Sequence, residues 1–211
     1  MRVLVLGASG GVGRHLLVRG VARGHAIRAQ TRDRRLLADV PDGVEVVAAD
    51  PTDAAALRAL VVGQQAAVIA LGATPGRRTT LFSDVTAKLI AAMQSESVAR
   101  LVAITGVGAG DTRGHGGFLY DWIIYPLFTR PLYEDKNRQE ALIRQSTLDW
   151  VLVRPAPFKA DAGPTPFQVI TEVRPETRLR RITREEVADF VLDQLQYDRY
   201  LRKAPFIGHA V

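Results

Sequence analysis

The sequence contains no cysteine. Disulfide bridges, thiolate nucleophiles, cysteine-bound zinc and iron–sulfur clusters are therefore excluded. Aromatic residues supply only 7% of the chain, and they do not interleave with basic residues as they do in proteins that stack single-stranded nucleic acid. The basic excess is modest, 28 Lys and Arg against 22 Asp and Glu for a net charge of +6. The arginines are scattered, with only short pairs such as Arg34-Arg35, Arg77-Arg78 and Arg180-Arg181. No nucleic-acid partner is expected, and the charge suits a protein that binds a small anionic ligand. Long apolar runs are also missing. Phe118–Phe128 is interrupted by Asp121 and Pro126 and is too short to span a bilayer. Val3–Leu6 ends at once in glycines, unlike a secretory leader. A cytoplasmic protein with no membrane partner is expected. His15, His25, His115 and His209 are isolated, so no metal site is expected.

What is present is an alternation of short β-branched runs with helical segments. Arg2–Leu6, His25–Thr31, Val44–Ala49, Ala66–Leu71, Arg100–Thr105 and Asp149–Arg154 read as strands. Val12–Arg23, a segment from Asp53 to Val62, and Thr79–Ser95 read as helices, with Gly24 and Gly63 as stops. This rhythm predicts an α/β fold with a doubly wound parallel sheet and right-handed crossovers. The 211 residues fit a single domain. After Pro155 the rhythm gives way to a loop-rich stretch with Pro157, Gly163, Pro164 and Pro166. Thr183-Arg184-Glu185-Glu186 is a capping box opening a helix to about Gln196, and Lys203–Gly208 is a candidate last strand. Residues 156–211 read mainly as a small substrate-side elaboration.

The sharpest signal is Gly7-Ala8-Ser9-Gly10-Gly11-Val12-Gly13, between the first strand and the first helix. In this context Gly7 permits the tight turn, Gly10 a close approach of backbone to a pyrophosphate, and Gly13 close packing of helix on sheet. The helix start offers free N–H groups and a positive dipole end, and Ser9 can add a hydroxyl. The expectation is a Rossmann-type dinucleotide site in which Gly7, Ser9, Gly10, Gly11, Val12 and Gly13 hold the phosphates.

The end of the second strand reads Thr31-Arg32-Asp33-Arg34-Arg35. Arg32 falls where a guanidinium pairs the 2′-phosphate of NADP, with Arg35 as a second clamp; Asp33 on a ribose hydroxyl is the competing NAD reading. NADP(H) is expected ahead of NAD(H). Asp50 and Pro51 end the third strand on the adenine side. Leu71 and Gly72 end the fourth and leave room for the cofactor.

GASGGVG, TRD, AADPTD and ALGAT form an ordered series that resembles the atypical short-chain dehydrogenase/reductase group of biliverdin reductase B (flavin reductase) and NmrA-like proteins. Lys136 to Glu140, Leu148 to Pro155, and Ile182 to Ala188 resemble the group's K-x-x-x-E, L-D-W-x-x-V-R-P and I-s-r-e-D-V-A stretches. The resemblance implies NADP at the C-terminal strand ends, the nicotinamide near Thr105, and a substrate above it under the loop after the fifth strand and the C-terminal third. It also implies that Lys136 bonds the nicotinamide ribose; the alternative is a surface lysine facing Glu140 at i+4. The Tyr-x-x-x-Lys pair common in the superfamily is broken. Tyr133 stands one residue too near Lys136, and Leu132 occupies the tyrosine position. Tyr133 is a candidate proton donor whose other reading is packing. Tyr120 and Tyr125 can reach a substrate or pack. The glycine-rich stretch Gly108–Gly117 reads as a mobile cover, and Phe118–Phe128 as a pocket wall or subunit contact.

Delivery of a hydride to a flavin or quinone tolerates the missing tyrosine, because the proton can come from solvent. The expectation is therefore an NADPH-dependent reductase of a small conjugated or aromatic acceptor, with Thr105, Lys136 and Tyr133 at the reacting end. The alternative is a non-catalytic NADP(H) sensor of the NmrA type. A monomer or homodimer is expected.

Overall fold

A computed structural model describes residues 1–73, 79–115, 117, 120–160 and 166–211. Thr74, Arg77, Arg78, Gly116, Phe118, Gly163 and Pro164, all drawn on above, lie outside them. The chain runs β1 (Arg2–Leu6), α1 (Gly11–Ala22), β2 (Ala26–Thr31), β3 (Val44–Ala48), α2 (Ala54–Val61), β4 (Ala66–Ile69), α3 (Leu81–Ser95) and β5 (Arg100–Ile104). A π-helical segment, Tyr120–Thr129, leads into α4 (Arg130–Gln145). There follow β6 (Asp149–Pro155), β7 (Phe158–Lys159), β8 (Gln168–Ile170), β9 (Ile182–Thr183), α5 (Arg184–Gln196) and β10 (Phe206–Gly208).

The main sheet has the order β3-β2-β1-β4-β5-β6-β10-β8. Every neighbouring pair from β3 to β10 is parallel, and only β8 is antiparallel, on β10. This is a doubly wound Rossmann sheet. The chain winds one way from β1 to β3 and the other way from β4, so a crevice opens at the strand C-termini between β1 and β4.

Alternation along the central strands builds a core on each face. Val3 and Val5, Val102 and Ile104, and Val151 and Val153 pack with α1 and α5. Leu4 and Leu6, Leu101 and Ala103, and Trp150 and Leu152 pack with α2, α3 and α4. Such two-sided burial is why these strands are almost continuously apolar.

The sequence pattern predicts no element between Thr105 and Asp149, yet α4 lies there. Its inward residues include Asp135, Lys136, Gln139 and Glu140. A helix whose buried face is polar carries no apolar period to read. Phe82, Ala109, Tyr125, Leu132 and Tyr133 form a third, small apolar cluster beside the site. No helix among the described residues is long and apolar enough to cross a membrane.

Candidate cofactor and acceptor site

The β1–α1 turn is shaped for a close ligand. Gly7 has φ +77°, and a Cβ there would meet the Ala70 carbonyl at 2.7 Å. A Cβ on Gly13 would strike the Gly7 carbonyl and lie 2.6 Å from that of Ala8, so only glycine lets α1 seat this low on the turn. Gln30, buried at the end of β2, braces the turn. Its Oε1 accepts from the Gly7 N–H at 3.0 Å, and its Nε2 donates to the Ala49 carbonyl at 2.7 Å. This buried amide bridges two strand ends to the glycine turn, and its one signal in the sequence is a polar residue at the end of β2.

Two cavities meet at Gly10, Leu71, Gly72 and Ala73. The first, about 710 Å3, is lined by Gly7, Ser9, Gly10, Thr31, Arg32, Asp50, Pro51, Leu71 and Gly72 among others. Asp50 is turned toward its own loop, accepting from the Thr52 amide and hydroxyl at 2.8 Å each; these bonds hold its carboxyl below the usual range. Arg32 stands on the cavity wall with no ion pair among the described residues. Arg35 does not line the cavity. It is exposed and clasps Asp33 through Nε and Nη2. Asp33 also caps the following 3-10 turn through the Arg35 amide. Both members of this pair are therefore engaged with each other, and Arg32 alone of the three faces the cavity.

The second cavity, about 410 Å3, is lined by Gly10, Gly11, Val12, Phe82, Ile104, Thr105, Leu132, Tyr133 and Lys136, and by Pro155 to Phe158 and Arg184 from the C-terminal side. Thr105, Tyr133 and Lys136 thus share one wall. In a helix, residues three apart lie on one face as residues four apart do, which is how the shortened Tyr133–Lys136 spacing still delivers both. Leu132 lines the cavity beside them. Tyr133 stacks at 5.7 Å on Tyr125, which packs behind the cavity and is not part of its lining. The Tyr120 side chain lies outside the described ones.

Lys136 is 7% exposed. Its Nζ donates to the Ile104 carbonyl at 3.3 Å and sits 4.4 Å from the centre of the Phe82 ring. Burial lowers its pKa to about 8, against the pull of Glu140 and Asp135. The surface pairing of Lys136 with Glu140 is not formed. Glu140 is buried and instead takes the Thr105 hydroxyl at 2.8 Å and the Arg154 guanidinium at 2.9 and 2.6 Å. Arg154 also pairs with Asp111 on the loop after β5. Burial opposes its charge, but the two carboxylates prevail and its pKa is raised. Two separate blocks of the sequence, Lys136 to Glu140 and Arg154-Pro155 at the end of β6, are thus halves of one buried network. It fixes Thr105 with its hydroxyl proton committed inward and its oxygen lone pairs free for a donor.

The loop after β5 is held at several points. Asp111 reaches Arg154, the Gly110 N–H donates to Asn137 Oδ1 at 2.9 Å, and the Thr112 hydroxyl donates to the Ala109 carbonyl at 2.6 Å. The first half of the stretch expected to be a mobile cover is therefore anchored to α4 and β6. No cluster of His, Asp or Glu that would hold a metal occurs among the described residues.

The glycine turn, the free helix start of α1 and the cation on the adenosine side all fit a dinucleotide. Residues 7–198 match the family model described as NAD(P)H-binding. The chain belongs to the NAD(P)H-binding family. Among solved structures, this family member is similar to the anaerobillin reductase ChuY of Escherichia coli (TM-score 0.81, 20% identity, 99% of this chain and 97% of that one). A short-chain dehydrogenase/reductase of Veillonella parvula gives a TM-score of 0.81 at 16% identity, over 99% and 94% of the two chains. The oxidoreductase ylbE of Lactococcus lactis gives 0.79 at 17% identity, over 100% and 91%. These likenesses concern the fold.

Proposed function

We propose that this protein is an NADPH-dependent reductase of a small conjugated or aromatic acceptor. The observation that carries the reading is the pair of confluent cavities at the strand C-termini. One is lined by the glycine turn and Arg32, the other is largely apolar with Lys136 buried in its wall. The first suits the adenosine and phosphates of a nicotinamide dinucleotide. The second has room for the nicotinamide end with a flat acceptor against it. When bound, the nicotinamide would supply a hydride, that is two electrons and one proton, to the acceptor.

The chain's own residues place and protect. Arg32 takes the 2′-phosphate. Lys136, held under Phe82, donates to the ribose of the nicotinamide half. Thr105 accepts from the carboxamide with its inward-fixed hydroxyl. Phe82, Leu132, Ile104 and Val107 exclude water from the reacting face. Tyr133 presents the phenol nearest Gly106 on the same wall, and a proton from it or from solvent completes reduction. That the similar ChuY structure is an anaerobillin reductase supports an extended conjugated acceptor.

Two measurements test the reading. NADPH oxidation is followed at the nicotinamide absorbance against flavins, quinones and linear tetrapyrroles; turnover with one class is expected. Tight NADPH binding without turnover across the panel favours the NmrA-type sensor instead. Arg32→Ala is expected to weaken NADPH binding about 10- to 100-fold and NADH binding less than 3-fold. Equal loss for both cofactors would remove the 2′-phosphate from Arg32.

A further inference from the structure

The glycine stretch has one glycine more than its pattern needs. Gly7, Gly10 and Gly13 serve the turn, the ligand approach and the helix seat, and Gly11 is left over. Its φ is ordinary, yet a Cβ there would lie 2.6 Å from Nε and 2.7 Å from Cδ of Arg184. The space that a side chain at position 11 would fill is taken by an arginine from the far end of the sequence.

Arg184 is the first residue of α5, and its backbone is firmly set. Thr183 accepts from the Glu186 N–H at 3.1 Å, and Glu186 accepts from the Thr183 N–H at 2.8 Å. Buried His209 meets Glu186 at 2.9 Å. The β7–β9 ladder pairs Phe158 with Ile182, bringing the Phe158 ring under the guanidinium at 4.8 Å. The acids that follow Arg184 in sequence are spent elsewhere: Glu185 on Arg19 and Glu186 on Thr183 and His209. Among the described residues Arg184 forms no ion pair, and its charge faces the cavity beside Gly10, Gly11 and Val12.

Among the described residues, the charged ones lining the two cavities are Arg32, Lys136 and Arg184, with Asp50 the lone acid. Arg32 lies on the adenosine side and Lys136 on the nicotinamide side. Arg184 stands between them at the start of α1, where a dinucleotide carries its two linking phosphates. A helix start supplies only partial positive charge, and among the described residues α1 has no other lining cation beside it.

We propose that Arg184 is a cofactor-binding residue that reaches the pyrophosphate from the start of α5, lying against the start of α1, and that Gly11 is glycine to admit it. The inference rests on the dinucleotide reading of the cleft. It makes the C-terminal third part of the cofactor site as well as of the acceptor site. It also gives the cation at the opening of α5 a ligand.

The test is equilibrium binding by calorimetry, independent of turnover, on the wild type, Arg184→Ala, Gly11→Ala and the double variant, with NADPH, NADH and 2′-AMP as probes. Arg184→Ala is expected to weaken NADPH and NADH equally, by about 10-fold, because both carry the pyrophosphate. It is expected to leave 2′-AMP, which lacks it, unchanged. Gly11→Ala, which displaces the arginine, is expected to give a similar loss, and the double variant to be no worse than the poorer single one. Arg184→Lys is expected to recover part of the affinity.

An unchanged dissociation constant in Arg184→Ala with a raised KM for an anionic acceptor would overturn the proposal and move the residue to the acceptor. A loss confined to NADPH would overturn it in favour of the 2′-phosphate. Additive losses in the double variant would separate Gly11 from Arg184 and sink the pairing. A wild type that binds neither dinucleotide would reject the cofactor reading itself, an outcome distinct from all of these.

Discussion

A lysine 7% exposed beside Phe82 is an unfavourable thing to fold. The ammonium loses its hydration and recovers one backbone carbonyl at 3.3 Å, with no carboxylate in contact among the described residues. Burial therefore brings its pKa down to about 8 from 10.5. The sign follows from proton counts. Between those two values the unfolded chain binds more protons at this position than the folded one, so stability rises with pH across the window. Below pH 8 the whole cost of burying the charge is borne by the native state. Lys136→Met keeps the volume and the contact with Phe82 but removes the charge. It is expected to stabilise the protein without cofactor by about 2 kcal/mol at pH 7. The advantage over wild type should shrink as pH climbs from 8 to 10.5. Urea unfolding of both proteins at several pH values measures this. The same variant should bind NADPH more weakly, as expected where a strained group is kept for its ligand. A variant less stable than wild type at pH 7 would show that the ammonium is better solvated than its surroundings indicate.

At the scale of elements, the first-turn N–H groups of α3 find one side-chain acceptor in their own segment among the described residues, the Thr79 hydroxyl, which takes the Leu81 N–H at 3.1 Å. Thr80 stands at the cap position but makes no capping bond to the first turn. Asp135 of α4 replaces it: fully buried, it accepts from the Phe82 N–H at 2.8 Å and from the Ser83 hydroxyl, and Arg138 lies 3.2 Å away. One carboxylate thus joins two helices and positions Phe82 under the cofactor cavity. Asp135→Ala is expected to cost about 2–3 kcal/mol, and Asp135→Asn, which keeps an acceptor, about half as much. Hydrogen exchange should quicken first at the Phe82 and Ser83 amides; loss spread evenly over the sheet would argue against a cap. This helix pair also marks where reading the sequence works and where it stops. The central strands and α1, α2, α3 and α5 are legible to within two residues, because each is apolar on the faces it buries or carries its own capping box. The glycine turn is legible because Gly7 and Gly13 have no substitute. α4 is not, since Asp135, Lys136, Gln139 and Glu140 look like solvent-facing residues until α3 and β6 supply their partners. Arg184 escaped for a similar reason: its block of sequence declares a helix start, and nothing local shows that the guanidinium lies on Gly11. Arg35 misled in the opposite direction, because sequence places it beside Arg32 while the folded chain spends it on Asp33.

For the molecule as a whole, the positive charge matters by where it collects. The net excess is six, and much of the basic surface is neutralised locally. Arg19 of α1 and Arg23 just past its end, for example, are paired with Glu185, Asp189 and Asp193 of α5. These pairs lock the two helices of one face together and contribute little field at a distance. The cleft is different, with three lining cations against Asp50 among the described residues. A concave site walled by low-dielectric protein focuses such a field outward and draws in anions. The sheet's reversal point sets the geometry: Arg32 follows β2 on one side of the crevice, Lys136 and Arg184 come from the other, and an anionic dinucleotide bound as proposed would span them. Affinity should therefore depend on ionic strength, and more steeply for the ligand with more phosphates. Between 0.05 and 0.5 M NaCl the NADPH dissociation constant is expected to rise about 10-fold and that of NADH about 3-fold. Arg32→Ala should bring the NADPH slope down to the NADH slope. Equal slopes in the wild type would mean that the 2′-phosphate is held by neutral donors. A salt-independent NADPH affinity would mean that the three cations are screened in solution and that the glycine turn alone holds the phosphates.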